Sequence, residues 1–436
     1  MYWEPEIEQL RRADLQQLQL ERLRETVGCA GRSPFYRQQF AAAGVAAERL
    51  RHIDDIRRLP FTTKDDLRNH FPYGFLTVPK DGTVRLHCSS GTTGNPTVIF
   101  HNRHDLASWA NLVARSLYCA GVRPNDVFQN ICGYGLFTGG LGFQYGAERL
   151  GALAIPAAAG NSRRQIKLMQ DFGTTAVHTI PSYLMRLHGV FAELGLDPRR
   201  DTELRVFVIG AEPHTEGQRR RIEELFGVKA YNSYGLSEMN GPGVAFECTE
   251  QNGLHIWEDC FVVEIIDPET LEPLPDGELG ELVLTTLDRQ AMPLLRYRTR
   301  DLTRILPGPC PCGRSHRRLD RISGRSDDML IIKGCNIFPM QIEKVLMRFP
   351  EVGSDYLIVV ENRNGNDEMT VQVELQKEWF TGNMEALENL SRRIGHEIRD
   401  EVLVTPAVQL LEPGSLPKSE GKAVRVQDLR KPQEAL

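Results

Sequence analysis

The chain has 436 residues, 41% of them hydrophobic and 25% charged, and a net charge of −6 at pH 7. That length exceeds one ordinary compact core, so two or three domains are expected, and the composition is that of a soluble globular protein. Without a basic excess there is nothing to draw the chain to nucleic acid or to an anionic membrane surface, and neither is an expected partner.

The opening MYWEPEIEQL has no apolar run of signal-peptide length, and GALAIPAAAG at 151–160 is too short to span a bilayer and holds a proline. A cytoplasmic protein is expected. Leu residues and charges at helical spacing over 6–27 predict an amphipathic helix. From about 85 to 240 short apolar runs alternate with helical stretches. TAVHTIP (175–181) and LRVFVIGAE (204–212) read as buried strands, and EGQRRRIEELFG (216–227) as a helix stopped at Gly227. This alternation implies parallel β/α layers.

Residues 254–306 turn strand-like, with HIWEDCFVVEIID, GELGELVLTTL and PLLRYRTRDLTRIL around the turn PLPDGELG. A boundary falls near RISGRSDDMLIIKG (321–334), beyond which SDYLIVVE and EMTVQVELQ alternate like strands and MEALENLSRRIGHEIRDEVL reads as an amphipathic helix. The expected class is α/β. Residues 1–326 would form a large multi-layer N-terminal domain with a β-rich subdomain at about 245–326, and 327–436 a small α+β C-terminal domain.

Within SSGTTGNPT (89–97), Gly91 and Gly94 let backbone N–H groups converge into an anion nest, and Ser89, Ser90, Thr92 and Thr93 add hydroxyls. The phosphate-loop pattern GxxxxGK[ST] is absent, because Asn95 and Pro96 follow Gly94; GGLGFQYG (139–146) misses GxGxxG by one place. On these residues alone a polar surface turn is an equal reading.

The loop resembles the phosphate-binding motif of the adenylate-forming superfamily, and further motifs follow in that superfamily's order. YNSYGLSE (231–238) resembles its adenine-and-magnesium motif, YRTRDL (297–302) its ribose motif, GRSDDMLIIKGCNIFPMQIE (324–343) its hinge, and LPKSEGKAVRV (416–426) the segment of its C-terminal lysine. GYGLFTGGLGFQYGAERLG, GAEP and SGRSDDMLIIKGCNIFPMQIE are similar to the phenylacetate–CoA ligase branch. The resemblance implies ATP-dependent activation of an aryl carboxylic acid to acyl-AMP, then transfer to coenzyme A with release of AMP. It also implies that 327–436 is a mobile lid.

Tested against that chemistry, the loop would hold the β- and γ-phosphates as the leaving group. Lys422 would offset charge between the carboxylate and the α-phosphate; by itself it reads as a solvated surface lysine. Glu238 suits Mg²⁺, which needs one or two carboxylates beside ATP oxygens; otherwise it is a cap or surface residue. Tyr234 would stack on adenine, opposite Gly210, Ala211, Glu212 and Pro213 at the end of a strand, with Asn232, Gly235 and Ser237 in the same motif. Core packing is the plainer role for Tyr234. Asp301 would accept from the ribose hydroxyls, or else pair with neighbouring arginines.

The resemblance assigns Arg325 to the nucleotide, Asp327 to the hinge and Gly334 to the pantetheine tunnel; a polar turn or cap is the alternative at Asp327. Tyr134, Phe137 and Phe143, with Gly140 leaving room, would enclose a flat aromatic acid, although such a stretch also suits plain core. Phe143 argues against bulky or substituted aryl acids.

Nine scattered cysteines do not describe a disulfide framework. Cys310 and Cys312, one residue apart before Gly313, make half of a zinc site, and Cys248 and His255 complete a tetrahedron if their loop meets them, with Cys260 in reserve. Zinc would brace the fold; free thiols are the alternative. Two further functions stand beside the ligase: an adenylating enzyme delivering acyl-AMP to a carrier protein, and a zinc-bearing binding protein without turnover. A homodimer is expected by analogy.

Overall fold

The computed structural model describes residues 2–89, 95–333, 335–363, 366–380, 383–417 and 424–430. It divides into two compact units. One holds 2–179, 190–211 and 226–322, and the other 180–189, 212–225 and 323 onward.

The first unit opens with two helices, Pro5–Glu8 and Arg12–Ala30, where the sequence pattern predicts one. The Glu8 carboxylate turns back to accept from the N–H groups of Trp3 (2.6 Å) and Glu4 (2.8 Å), and pairs with Arg314 at 2.6 Å, both side chains buried. That caps the start of the first helix, and the second begins at Arg12.

Among the described residues the unit is built on a nine-stranded sheet. Its parallel half runs in the order 229–236, 206–210, 176–179, 127–130, 153–155. The strands 176–179 and 206–210 are buried throughout, as a sheet covered on both faces requires. Beyond 229–236 the sheet turns antiparallel through 241–247, 254–256, 318–319 and 305–306. Part of the β-rich segment therefore extends the large sheet. The rest, 261–266, 280–286 and 297–303, forms a separate antiparallel set.

The helix Arg103–Cys119 starts at a capping box between Asn102 and Asp105 and packs on the helix Thr138–Leu150. The contact is close because the second helix presents glycines. A Cβ on Gly142 would lie 2.5 Å from the Trp109 ring, and one on Gly146 2.3 Å from Val113.

The second unit holds the hairpin 330–332 with 335–337, the helices Pro339–Leu346 and Met384–Val402, and a four-stranded sheet. Strands 352–363 and 366–375 pair antiparallel at its centre, flanked by parallel strands 426–428 and 407–411. Leu390, Ile394, Ile398 and Val402 recur every four residues along the longer helix and close a core with Ile358, Val360, Val371 and Val373. Among the described residues no helix is long and apolar enough to cross a membrane.

Candidate active site

The strand 206–210 ends at Gly210, where a Cβ would meet the Ser233 carbonyl at 2.3 Å, and Ala211 follows with φ +65°. The neighbouring strand 229–236 carries Asn232, Tyr234 and Gly235 to the same carboxyl end of the sheet, where open α/β sheets bind ligands. Asn232 donates its backbone N–H to Glu247 (2.7 Å). At Gly235 a Cβ would lie 2.0 Å from the Gly241 carbonyl, so the crossing to the next strand admits only glycine. The Tyr234 hydroxyl donates to Asp301 Oδ2 at 2.5 Å. The adenine and ribose candidates, 67 residues apart in sequence, are thus joined.

A 3₁₀ turn, Ser237–Met239, follows the strand and buries Glu238. Ser237 Oγ lies 3.2 Å from Thr138 Oγ1. The Glu238 carbonyl accepts from Arg289 Nη1 at 2.7 Å, and its carboxylate faces Lys64 Nζ at 3.9 Å. Burial lowers the Arg289 pKa to about 10. Ser89 stands at the mouth of the 89–97 loop with its hydroxyl on Thr97 Oγ1 (2.5 Å), so it closes the loop's stem. Ser90, Gly91, Thr92, Thr93, Gly94, Gly334 and Lys422 lie outside the described residues.

In the second unit, Glu212 accepts from the Ser182 N–H (2.6 Å) and hydroxyl (3.0 Å), capping the helix Pro181–Glu193, with Pro213 next to it exposed. Arg325 grips Asp327 with two hydrogen bonds, at 2.8 and 2.9 Å. The nucleotide and hinge candidates of that motif are a bidentate pair.

The aromatic candidates separate by burial. Tyr134 is half-buried; its hydroxyl accepts from Asn130 Nδ2 (3.0 Å) and donates to Gln144 (2.9 Å), and burial pushes its pKa up to about 12. Phe137 is 53% exposed. Gly140 leaves no spare room, because a Cβ there would meet the Gly133 carbonyl at 2.5 Å. Phe143 is a core residue, 2% exposed and stacked on His178 at 3.6 Å. His178 Nδ1 donates to Asn130 Oδ1 (2.9 Å), so a buried hydrogen-bonded chain runs from this stack to Tyr134.

The two cysteine-bearing loops do meet. Ligand atoms of Cys248, His255, Cys310 and Cys312 lie within 4.8 Å of one another. Cys248 and Cys310 sulfurs are 3.7 Å apart, and Cys312 Sγ is 3.3 Å from His255 Nε2. A tetrahedron with Zn–S bonds of about 2.3 Å has edges of about 3.8 Å, so the spacing fits. His255 donates Nδ1–H to the His316 carbonyl (3.0 Å), which aims Nε2 at the cluster. The hydrogen bond from Cys248, aided by His255, lowers the Cys312 pKa toward the thiolate a metal needs. Cys260 is not in the cluster. Its thiol faces Asp259 (3.3 Å) and Arg22 (3.8 Å). Tyr2 donates to the Cys312 carbonyl at 2.8 Å, so the start of the chain lies on this loop.

Residues 49–287 match the family model for AMP-binding enzyme, and 334–430 match that for the AMP-binding enzyme C-terminal domain. The chain is 47% identical to a phenylacetate-coenzyme A ligase of Thermus thermophilus, over 99% of this chain and 100% of that protein. It is likewise 47% identical to the phenylacetate-coenzyme A ligase of Escherichia coli, over 96% and 95%. The chain belongs to the phenylacetate–CoA ligase family of AMP-binding enzymes. Among solved structures it is similar to a 2-hydroxyisobutyryl-CoA ligase in complex with R3-HIB-AMP, with TM-score 0.92 and 31% identity over 98% of this chain and 92% of that one. The fold is that of the adenylate-forming ligases, α/β with a large N-terminal and a smaller C-terminal domain.

Within this family member, three site neighbours escape a reading of the sequence. Arg289 fixes the Glu238 turn from behind, Asn130 holds Tyr134, and Lys64 faces the Glu238 carboxylate. None sits in one of the motifs that carry the resemblance, and only the capping pattern TTKDD signals the helix that carries Lys64.

Proposed function

We propose that the protein is an AMP-forming phenylacetate (aryl acid)–CoA ligase. The observation that carries this is 47% identity, over essentially the whole of both chains, to a protein with that activity. Tyr234, Asp301 and Glu238 gathered at one sheet end support it. In the first half-reaction a carboxylate oxygen attacks the α-phosphorus of ATP, the bond to the β-phosphate oxygen breaks, and pyrophosphate leaves. In the second the CoA thiolate attacks the acyl carbon, the bond to AMP breaks, and the thioester forms.

Asp301, held by Tyr234, receives the ribose hydroxyls; the 89–97 loop holds the phosphates; Lys422 offsets charge at the α-phosphorus. Glu238 is a buried hard-oxygen donor suited to the Mg²⁺ that accompanies ATP. The segment from Asp327 onward serves as the lid, with Arg325–Asp327 as its pivot and Gly334 lining the thiol's approach. Tyr134 and Phe137 contact the aryl ring, and Phe143 backs them from the core. Cys248, His255, Cys310 and Cys312 hold a zinc ion that braces two loops and takes no part in the reaction. The protein works in the cytoplasm as a homodimer. Delivery of acyl-AMP to a carrier protein has no observation in its favour.

The test is pyrophosphate release from Mg-ATP across aryl and aliphatic acids, with and without CoA. Phenylacetate is expected to give CoA-dependent turnover with AMP as co-product. Preference for another acid would overturn the substrate, and absence of turnover with every acid would overturn the activity. Lys422→Ala is expected to abolish adenylation and spare thioester formation from supplied acyl-AMP.

A further inference from the structure

The phosphate loop has no lysine of its own, and Lys422 is assigned to the α-phosphorus, so the pyrophosphate being expelled has no cation from either. The fold brings one from the N-terminal region. Lys64 is the first residue of the helix Lys64–Asn69, capped by Thr63, whose hydroxyl accepts from the Asp66 N–H (3.2 Å) while Asp66 accepts from the Thr63 N–H (2.8 Å).

Three elements of the candidate site surround this helix. Thr62 is laced to the strand that carries Asp301, its N–H donating to the Arg296 carbonyl (3.0 Å) and its carbonyl accepting from the Arg298 N–H (2.9 Å). Arg68, one turn on, accepts at its carbonyl from Asn95 Nδ2 (3.4 Å), at the exit of the phosphate loop. Lys64 itself reaches Glu238 Oε1, at 3.9 Å. That is charge contact without a hydrogen bond, and 44% of the lysine side chain is exposed, so the ammonium can turn from Glu238 at little cost.

We propose that Lys64 is a catalytic residue that changes partners. Without nucleotide it neutralises the Glu238 carboxylate; when Mg-ATP binds and the carboxylate turns to the metal, Lys64 passes to the β- and γ-phosphate oxygens. There it offsets the negative charge that pyrophosphate gains as the bond to the α-phosphorus breaks. The inference rests on the nucleotide-site reading above.

The exchange makes two predictions of opposite sign. Calorimetric binding with no acid present, hence no turnover, would compare Mg-ATP and Mg-AMP on wild type, Lys64→Met and Lys64→Arg. Lys64→Met is expected to weaken ATP about 10- to 100-fold and AMP less than about twofold, and Lys64→Arg to regain most of the loss. Mn²⁺ binding without nucleotide, read by electron paramagnetic resonance, is expected to be as tight or tighter in Lys64→Met, since a competing cation is gone. Equal loss of ATP and AMP, or weaker Mn²⁺ binding, would reduce Lys64 to a structural contact, as would unchanged ATP affinity. If wild type binds neither nucleotide, the nucleotide site itself falls, a failure separate from that of Lys64.

Discussion

His178 offers a test of the aromatic wall through pH. Its ring stacks on Phe143 and its Nδ1–H is committed to Asn130, and burial lowers its pKa to about 3. Above about pH 6.5 the ring is neutral in folded and unfolded chains alike. As the pH falls, the unfolded ring takes up a proton near 6.5 and the native ring refuses it until about 3. The unfolded state therefore binds more protons, and stability is lost across that window.

At about 1.4 kcal/mol per pH unit, the loss from this group is of the order of 3 kcal/mol at pH 4.5. His178→Phe removes the titration but leaves Asn130 Oδ1 without its ring donor, which costs about 1–2 kcal/mol at neutral pH. The variant should be the less stable protein at pH 8, match wild type between about pH 5 and 6, and be the more stable one at pH 4.5. Because the two units need not unfold together, hydrogen exchange of the 176–179 amides is the proper readout, with guanidinium unfolding as support. A stability gap that stays constant from pH 8 to pH 4.5 would refute the reasoning.

Metal analysis of protein purified without chelator should find about one zinc per chain, and Cys310→Ser should lose it with a drop in Tm of several degrees. An unchanged Tm in metal-free wild type would show that the cluster braces nothing. Tyr234→Phe should weaken AMP binding about tenfold by removing the hydroxyl that positions Asp301, with little change in Tm; unchanged binding would detach Asp301 from the ribose. Gly142→Ala places a methyl 2.5 Å from Trp109 and 2.6 Å from Pro242 and should cost about 1–3 kcal/mol in a denaturant melt.

Where local pattern and tertiary demand agree, the sequence is readable. The strand 206–210 is an unbroken apolar run, the strand 176–179 is buried throughout, and the helix Glu216–Phe226 stops at Gly227 with φ +68°. Cys310 and Cys312 lie beside Cys248 and His255, the grouping expected from a CxC pair before a glycine and a Cys–His loop. The failures lie where a distant partner overrides the pattern. The one helix that the pattern favours is split between Glu8 and Arg12, each of which is paired with a residue far along the chain, Arg314 and Glu258. The glycines of GGLGFQYG serve Trp109 and Val113, and Phe143 serves His178, so a string that looks made for a ligand is spent largely on packing. Lys64 was invisible because nothing local distinguishes it from any lysine at a helix start.

The Glu8–Arg314 pair also bears on how the chain is made. Its partners are 306 residues apart, and Arg12 waits similarly for Glu258, 246 residues on. At ribosomal speeds of about 5–20 residues per second, Glu8 is synthesised roughly 15–60 s before its arginine exists. Through that interval the helix Arg12–Ala30, with its stripe of Leu15, Leu20, Leu23 and Val27, has the nearby segment 47–58 to pack on but not its distant ion-pair partners. The ion pairs that tie the first residues made to the rest of the fold are therefore among the last contacts of the larger unit to form.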